Sequence, residues 1–174
     1  RLMHAVPVLW RFHQIHHSAE VLTPFSLYRL HPFEQMLQAL RGLLAVGITA
    51  GLFAWISFGK ASVWTMYGVP GIMIVFGVLG ANLRHSHSWI PYPAWLERVL
   101  ISPAQHQQHH AMTGGGQRMN YGSILAVWDG LTGSLMLSRE GKPDEFGLLP
   151  EHRDHNPRSL LSVLIDPLKI WRSF

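Results

Sequence analysis

Two stretches of the chain stay apolar for longer than any others. From Ala39 to Phe58 twenty residues carry one charge, Arg41, near the start; from Ala61 to Leu83 twenty-three carry none. At about 1.5 Å per residue either would cross the roughly 30 Å hydrocarbon core of a bilayer as a helix. Ser57-Phe58-Gly59-Lys60 between them reads as a tight turn. Gly42, Gly47 and Gly51 on the first stretch, and Gly68, Gly71, Gly77 and Gly80 on the second, would let two helices approach closely, with a kink at Pro70. The pattern predicts a transmembrane hairpin; a pair of buried helices in a soluble core is the competing reading.

A hairpin returns the chain to the side it left, so the polar segments before Ala39 and after Leu83 share a compartment. Arg29, Arg41, Arg84 and Arg98 flank that side, and Lys60 stands alone at the far turn. The positive-inside rule then places the polar segments on the cytoplasmic face.

Those segments carry helix starts. Pro7 opens a helix through His17, and Ser18 can bond back to it. Pro24 breaks the connector that follows, and Tyr28-Arg29 suits a membrane–water boundary. His31-Pro32-Phe33-Glu34 starts the first apolar helix, with Glu34 at the positive end of its dipole. Leu96–Ile101 reads as a short apolar helix, and Ser102-Pro103 as the cap and first position of another. Residues 138–157 read as a loop in which His152 and His155 are solvated, and 159–171 as a segment lying along the membrane surface.

Composition agrees with a membrane protein. Charged residues make up 14% of the 174, against about a quarter in soluble domains. A net charge of +4, spread among apolar runs, suits anionic lipid head groups and not a nucleic acid. Cysteine is absent, so disulfides and thiolate metal sites are excluded and any metal must take N and O ligands.

The candidate chemistry is a repeated pattern, H-x-x-H-H. It occurs at His13, His16 and His17 and again at His106, His109 and His110. On a helix those positions share an arc of roughly 100°, so each copy presents three imidazoles on one side. Neutral imidazole is a common ligand for Zn, Fe and Cu. His4 lies near the first copy and His85 near the second, which gives eight candidate ligands. One structural zinc takes four, so eight fit two metals. His85 and His87 point apart if their segment is helical, and His85 is preferred. His31 is a helix cap, a supporting partner or a further ligand; Asp129, alone in an apolar stretch, either orients a metal-bound imidazole or acts as a cap or ion-pair partner.

RLMH, WRFHQIHHS, HPFE, LRHSHSWI, LERVLISPAQHQQHH and NYGSILAVWDGLTGSL, in that order, resemble the fatty acid hydroxylase / sterol desaturase superfamily of integral membrane di-iron enzymes. The resemblance runs to about Gly147. It implies an all-α membrane protein, with a two-helix transmembrane hairpin and a cytoplasmic-face helical cap carrying the histidine motifs. It implies a catalytic domain over residues 1–147, followed by a loop and interfacial helix over 148–174. It further implies two Fe ions, replaceable by Zn in purified material, held by His4, His13, His16, His17, His85, His106, His109 and His110. The reaction would be O2-dependent hydroxylation or desaturation of a lipid C–H bond, such as that of a fatty acyl chain or sterol. Electrons would come from an external donor, a cytochrome b5-like protein, a ferredoxin or a reductase. The family pattern begins H-x-x-x-H; His4 matches its second histidine and the first would fall directly before Arg1, so the sequence is expected to start inside the domain.

Other readings fit less well. A metal transporter or a metal-binding protein without redox catalysis would need ionisable residues inside the spans, and between Gly42 and Leu83 Lys60 alone is charged. A membrane zinc protease would need H-E-x-x-H, which is absent. Haem held by paired transmembrane histidines is disfavoured because the histidines lie outside the apolar stretches.

Overall fold

The computed structural model describes residues 1–60, 71, 74, 82–112, 116–149 and 159–169. Among these the chain is helical and has no strand; two isolated antiparallel bridges, Leu100 with Leu125 and Ala111 with Phe146, pin its loops.

Helix α1 (Leu2–Ala5) is separated from α2 (Pro7–His17) by Val6, whose extended backbone turns the chain just before the proline. Pro7 takes the first turn of α2, where its missing N–H leaves no bond unmade. Ser18 closes the helix, its hydroxyl donating to the Ile15 carbonyl at 2.7 Å. Phe12 and Ile15 bury one face of α2, and His16 and His17 are buried with them.

After a 3-10 turn over Pro24–Tyr28, α3 (Pro32–Ile56) runs for 25 residues, about 38 Å. It is long and apolar enough to cross a membrane, with a mean hydropathy of 1.7 in its most apolar window and none of that window buried within the chain. Leu43, Leu44, Ile48, Leu52 and Trp55 are all more than half exposed. Only lipid or another apolar surface satisfies such a helix. The one buried residue of α3 is Glu34, in its first turn. At its far end the chain turns through Phe58 and Gly59, both at positive φ, and the Gly59 N–H closes onto the Ala54 carbonyl. The expected second span, 61–83, and its kink at Pro70 lie outside the described residues apart from 71, 74 and the end of the span, as do His152 and His155. Gly42, Gly47 and Gly51 face open space within the described part.

The further helices among the described residues are α4 (Asn82–Arg84), α5 (Ala94–Glu97), α6 (Pro103–His109), α7 (Val127–Thr132) and α8 (Leu160–Ile165). The expected helix over 96–101 ends earlier, at Glu97. From Val99 the backbone pairs with the 124–126 segment instead: Ile101 N–H donates to Ile124 and Ala126 N–H to Val99, both at 2.9 Å. Ser102 caps α6 in a reciprocal box with Gln105, with Pro103 at the first position, as the sequence indicates.

The interior around α6 is polar. Glu97 is buried and accepts from Ser102 Oγ at 2.7 Å, Ser138 N at 3.0 Å and Tyr92 N at 3.2 Å. Gln105 donates to the carbonyls of Glu97 and Met136, and Gln108 to those of Leu137 and Gly141. Asn120, at φ 51°, donates to Gln108 and accepts from Met136 N. Beside the buried apolar Ile101, Ala104 and Leu137 these groups form satisfied hydrogen bonds, which hold one arrangement because leaving any of them unmade costs more. Helix α8 docks where α3 begins: His31 Nε2–H donates to the Leu164 carbonyl at 3.2 Å.

Candidate metal centre

Helices α2 and α6 place their histidines against each other. One ring nitrogen from each of His4, His13, His17 and His109 lies within 4.8 Å of the others, and the same holds for His16, His85, His106 and His110. Each H-x-x-H-H copy is therefore divided. The first gives two imidazoles to one group and one to the other, and the second does the reverse. The 0, 3, 4 spacing explains this, since the outer positions of the arc point to opposite sides of the facing helix. α1 adds His4 to the first group, and the loop after α4 adds His85 to the second. The groups share a border, where His17 and His110 stack with ring centroids 4.3 Å apart.

The donor set fits metal ions. His13 Nε2 and His4 Nε2 face each other at 3.0 Å, and His106 Nε2 and His85 Nε2 at 2.9 Å. Both ring nitrogens of His17 and of His110 are buried without a protein partner among the described residues. Buried polar atoms are otherwise nearly always bonded, so these nitrogens ask for a ligand the protein does not itself provide. Burial first, and repulsion among the rings second, press the pKa of His16, His17, His106 and His110 well below the usual imidazole value, and that of His4 down as well. His85 and His109 are lowered to about 4, again chiefly by burial. At neutral pH these seven rings are uncharged and their lone pairs are free to ligate.

Outer partners fix several rings. His13 Nδ1–H donates to Glu34 Oε1 at 2.8 Å, His109 Nδ1–H to the Met119 carbonyl at 2.7 Å, and His85 Nδ1–H to Ser26 Oγ at 3.0 Å. The Ser26 hydroxyl spends its own proton on the Thr23 carbonyl, so it can only accept from His85. Each bond leaves Nε2 bare on the inner side. Gln107, between the histidines of α6, donates to the carbonyls of Ser86 and Ser88 and so holds the loop that carries His85.

Three residues considered with the ligands stand elsewhere. His31 caps α3, accepting from Phe33 N at 3.0 Å, and binds α8 with its other nitrogen. His87 is exposed, because the loop turns just after His85. Asp129 bonds no imidazole: it takes the N–H groups of Tyr121 and Gly122 and the Ser134 hydroxyl, closing the 121–134 segment into a loop. The sequence by itself accounts for Glu34 through the helix dipole and does not single out Ser26. A lone carboxylate at the foot of an apolar helix was a usable signal for Glu34; an ordinary serine in a turn offered none.

A cavity of about 580 Å³ opens beside the two groups. His4, His13, His16, His85, His106 and His109 line it on one side. Leu9, Leu27, Leu30 and Leu37 give it an apolar wall, and Leu37, Gln38 and Arg41 bring α3 into that wall.

The chain is 29% identical over 141 residues to a beta-carotene hydroxylase of Pseudescherichia vulneris, covering 77% of this chain and 70% of that protein. It is 26% identical over 134 residues to an alkylglycerol monooxygenase of Danio rerio and 27% over 137 to the ornithine lipid hydroxylase OlsE of Rhizobium tropici. It spans 26% and 36% of the length of those two. No solved structure matches. Residues 1–134 match the family described as fatty acid hydroxylase, and the chain belongs to that family.

Proposed function

We propose that this protein oxidises a C–H bond of a lipid with O2 at a pair of iron ions, one held by His4, His13, His17 and His109 and the other by His16, His85, His106 and His110. The observation that carries the reading is the position of both imidazole groups on a cavity whose wall is shared with α3. Relatives named as hydroxylases and monooxygenases support an oxidoreductase acting on a lipid.

Non-haem iron in an imidazole-rich site supplies O2 chemistry that side chains lack. The chain's own residues do the rest. Burial keeps His4, His16, His17, His85, His106, His109 and His110 neutral, and Glu34, Ser26 and Met119 aim three of the ligating rings. The leucine wall takes an acyl chain or ring from the bilayer along α3 and keeps water from the reacting carbon. Hydroxylation consumes one O2, two electrons and two protons for each alcohol and water formed; desaturation consumes the same and forms an alkene and two waters. The electrons come from a separate donor at the face that Arg29, Arg41, Arg84 and Arg98 flank in sequence. By the positive-inside rule that face is cytoplasmic.

The test is incubation of the iron-loaded protein in membranes with O2 and a reductase system, followed by mass spectrometry of the lipids. A lipid that gains one oxygen or loses two hydrogens only when iron, O2 and reductant are all present is the expected result. Unchanged lipids with both irons bound and reduced would overturn the assignment.

A further inference from the structure

Glu34 stands in the first turn of α3, and the reaction as described uses only one of its oxygens. It is fully buried. Oε1 accepts from His13 Nδ1 and from Gln38 Nε2, each at 2.8 Å. Oε2 is buried and has no partner among the described residues, although Glu34 lies on the cavity wall. Among the described residues no Lys or Arg pairs with it; its one ion-pair contact is His13. Burying a carboxylate with half its capacity unmet is costly unless a nearby positive charge offsets it. The first histidine group stands directly behind His13. Gln38, one turn along α3, holds the carboxylate in place, so the membrane helix itself sets the orientation of the His13 ring.

Among the described residues no carboxylate supports the second group in this way. Its outer partner is the neutral Ser26 hydroxyl on His85. The longer-range charges point the same way. Asp129 acts on His109 in the first group, whereas the Arg84 guanidinium acts on His85 and His106 in the second.

We infer that Glu34 is a positioning residue that makes the two metal sites unequal: through His13 it renders the His4, His13, His17, His109 site the tighter and more electron-rich of the pair. This rests on the two-metal reading above. A carboxylate on the far nitrogen of a ligating imidazole raises its basicity, and losing such a partner costs about 10–100-fold in metal affinity.

The experiment uses the intact protein in detergent, loaded with iron-57 under anaerobic conditions. Two measurements are made: competition with a chelator, and the Mössbauer spectrum. The wild-type protein should release its irons in two classes and give two distinguishable ferrous signals. Glu34→Ala should weaken the tighter class by about 10-fold or more and shift one signal. Glu34→Gln keeps the oxygen that His13 and Gln38 need but removes the charge; it should shift the same signal by less. Ser26→Ala should move only the other signal. A single affinity class in the wild type would overturn the inference, as would Glu34 and Ser26 variants that alter the same signal. If Glu34→Ala does not fold, Glu34→Gln decides alone, and unchanged affinities and spectrum in it refute the inference. Failure to retain more than one iron in the wild type would instead sink the two-metal reading.

Discussion

His85 and His106 face each other Nε2 to Nε2 at 2.9 Å, across 21 residues of sequence, and neither helix places both. His106 is fixed by the body of α6. His85 sits on a loop whose position depends on Gln107, one residue along from His106, through its bonds to the Ser86 and Ser88 carbonyls at 3.0 and 2.7 Å. Neighbouring residues of α6 thus supply a candidate ligand and the fastener for the ligand opposite.

That arrangement makes a selective prediction. Gln107→Ala leaves two backbone carbonyls without their donor and frees the His85 loop, at a cost of about 1–3 kcal/mol for the stranded polar groups. Metal analysis of the purified protein should show the second site partly emptied and the first still filled. His85→Ala should empty the second site fully, and His87→Ala should change nothing, because His87 points to solvent. Equal loss in the His85 and His87 variants would contradict the placement of His85.

Much of this centre can be read along the chain, and the reason is periodicity. The 0, 3, 4 spacing of His13, His16, His17 and of His106, His109, His110 is a helical pattern, and Pro7, Ser102 and Pro103 mark the helix starts that carry it. The all-helical character and the long apolar helix follow from the same local rules. What the sequence hides is long-range. Which imidazole joins which group depends on how α2 and α6 face each other. The partners of the rings, Glu34, Ser26 and the Met119 carbonyl, come from a helix start, a 3-10 turn and a loop without any common spacing. Asp129 illustrates the ambiguity: one acid in an apolar run looks the same whether it faces an imidazole or, as here, two backbone amides.

The metal-free protein should lose stability as the pH falls below neutral. His85 and His109, when folded, are lowered to about 4 from an ordinary value near 6.5, mainly by burial. Above the ordinary value both folded and unfolded chains hold these rings neutral, and stability is at its full value. Below it the unfolded chain binds protons that the folded chain refuses, so stability falls through the window from 6.5 toward about 4. Each of the two rings contributes on the order of 3 kcal/mol across that window, and the more deeply depressed rings add to the same slope. Thermal unfolding of metal-stripped protein in detergent, followed from pH 7.5 down in steps of about half a unit, checks this. A midpoint that stays level through the window would mean that the imidazoles are not buried in the metal-free state.

The loop that closes the cavity on the far side is held by Gly122, and its tolerance for a side chain can be read from its neighbours. A Cβ there would sit 2.4 Å from the Leu125 carbonyl oxygen, 2.9 Å from Asp129 Oδ2 and 3.1 Å from Ile101 Cγ1. The nearest obstacle is backbone, which cannot swing aside like a flexible side chain. Relief requires the 121–125 segment to move away from Asp129, which breaks the 2.8 Å bond from the Gly122 N–H. Gly122→Ala should therefore cost about 1–3 kcal/mol by overpacking and shift Tyr121, which packs on His4 and His109 with ring centroids 5.0 and 5.8 Å away. Gly133→Ala is the control. Its site is open, so only the left-handed backbone at φ 69° resists the substitution, at a cost of about 1 kcal/mol. Comparing thermal midpoints and iron content of the two variants separates the effects. The Gly122 variant should lose more stability and also disturb the first metal site, whereas the Gly133 variant should keep both irons. Equal behaviour of the two would show that the 121–125 segment does not press on the site.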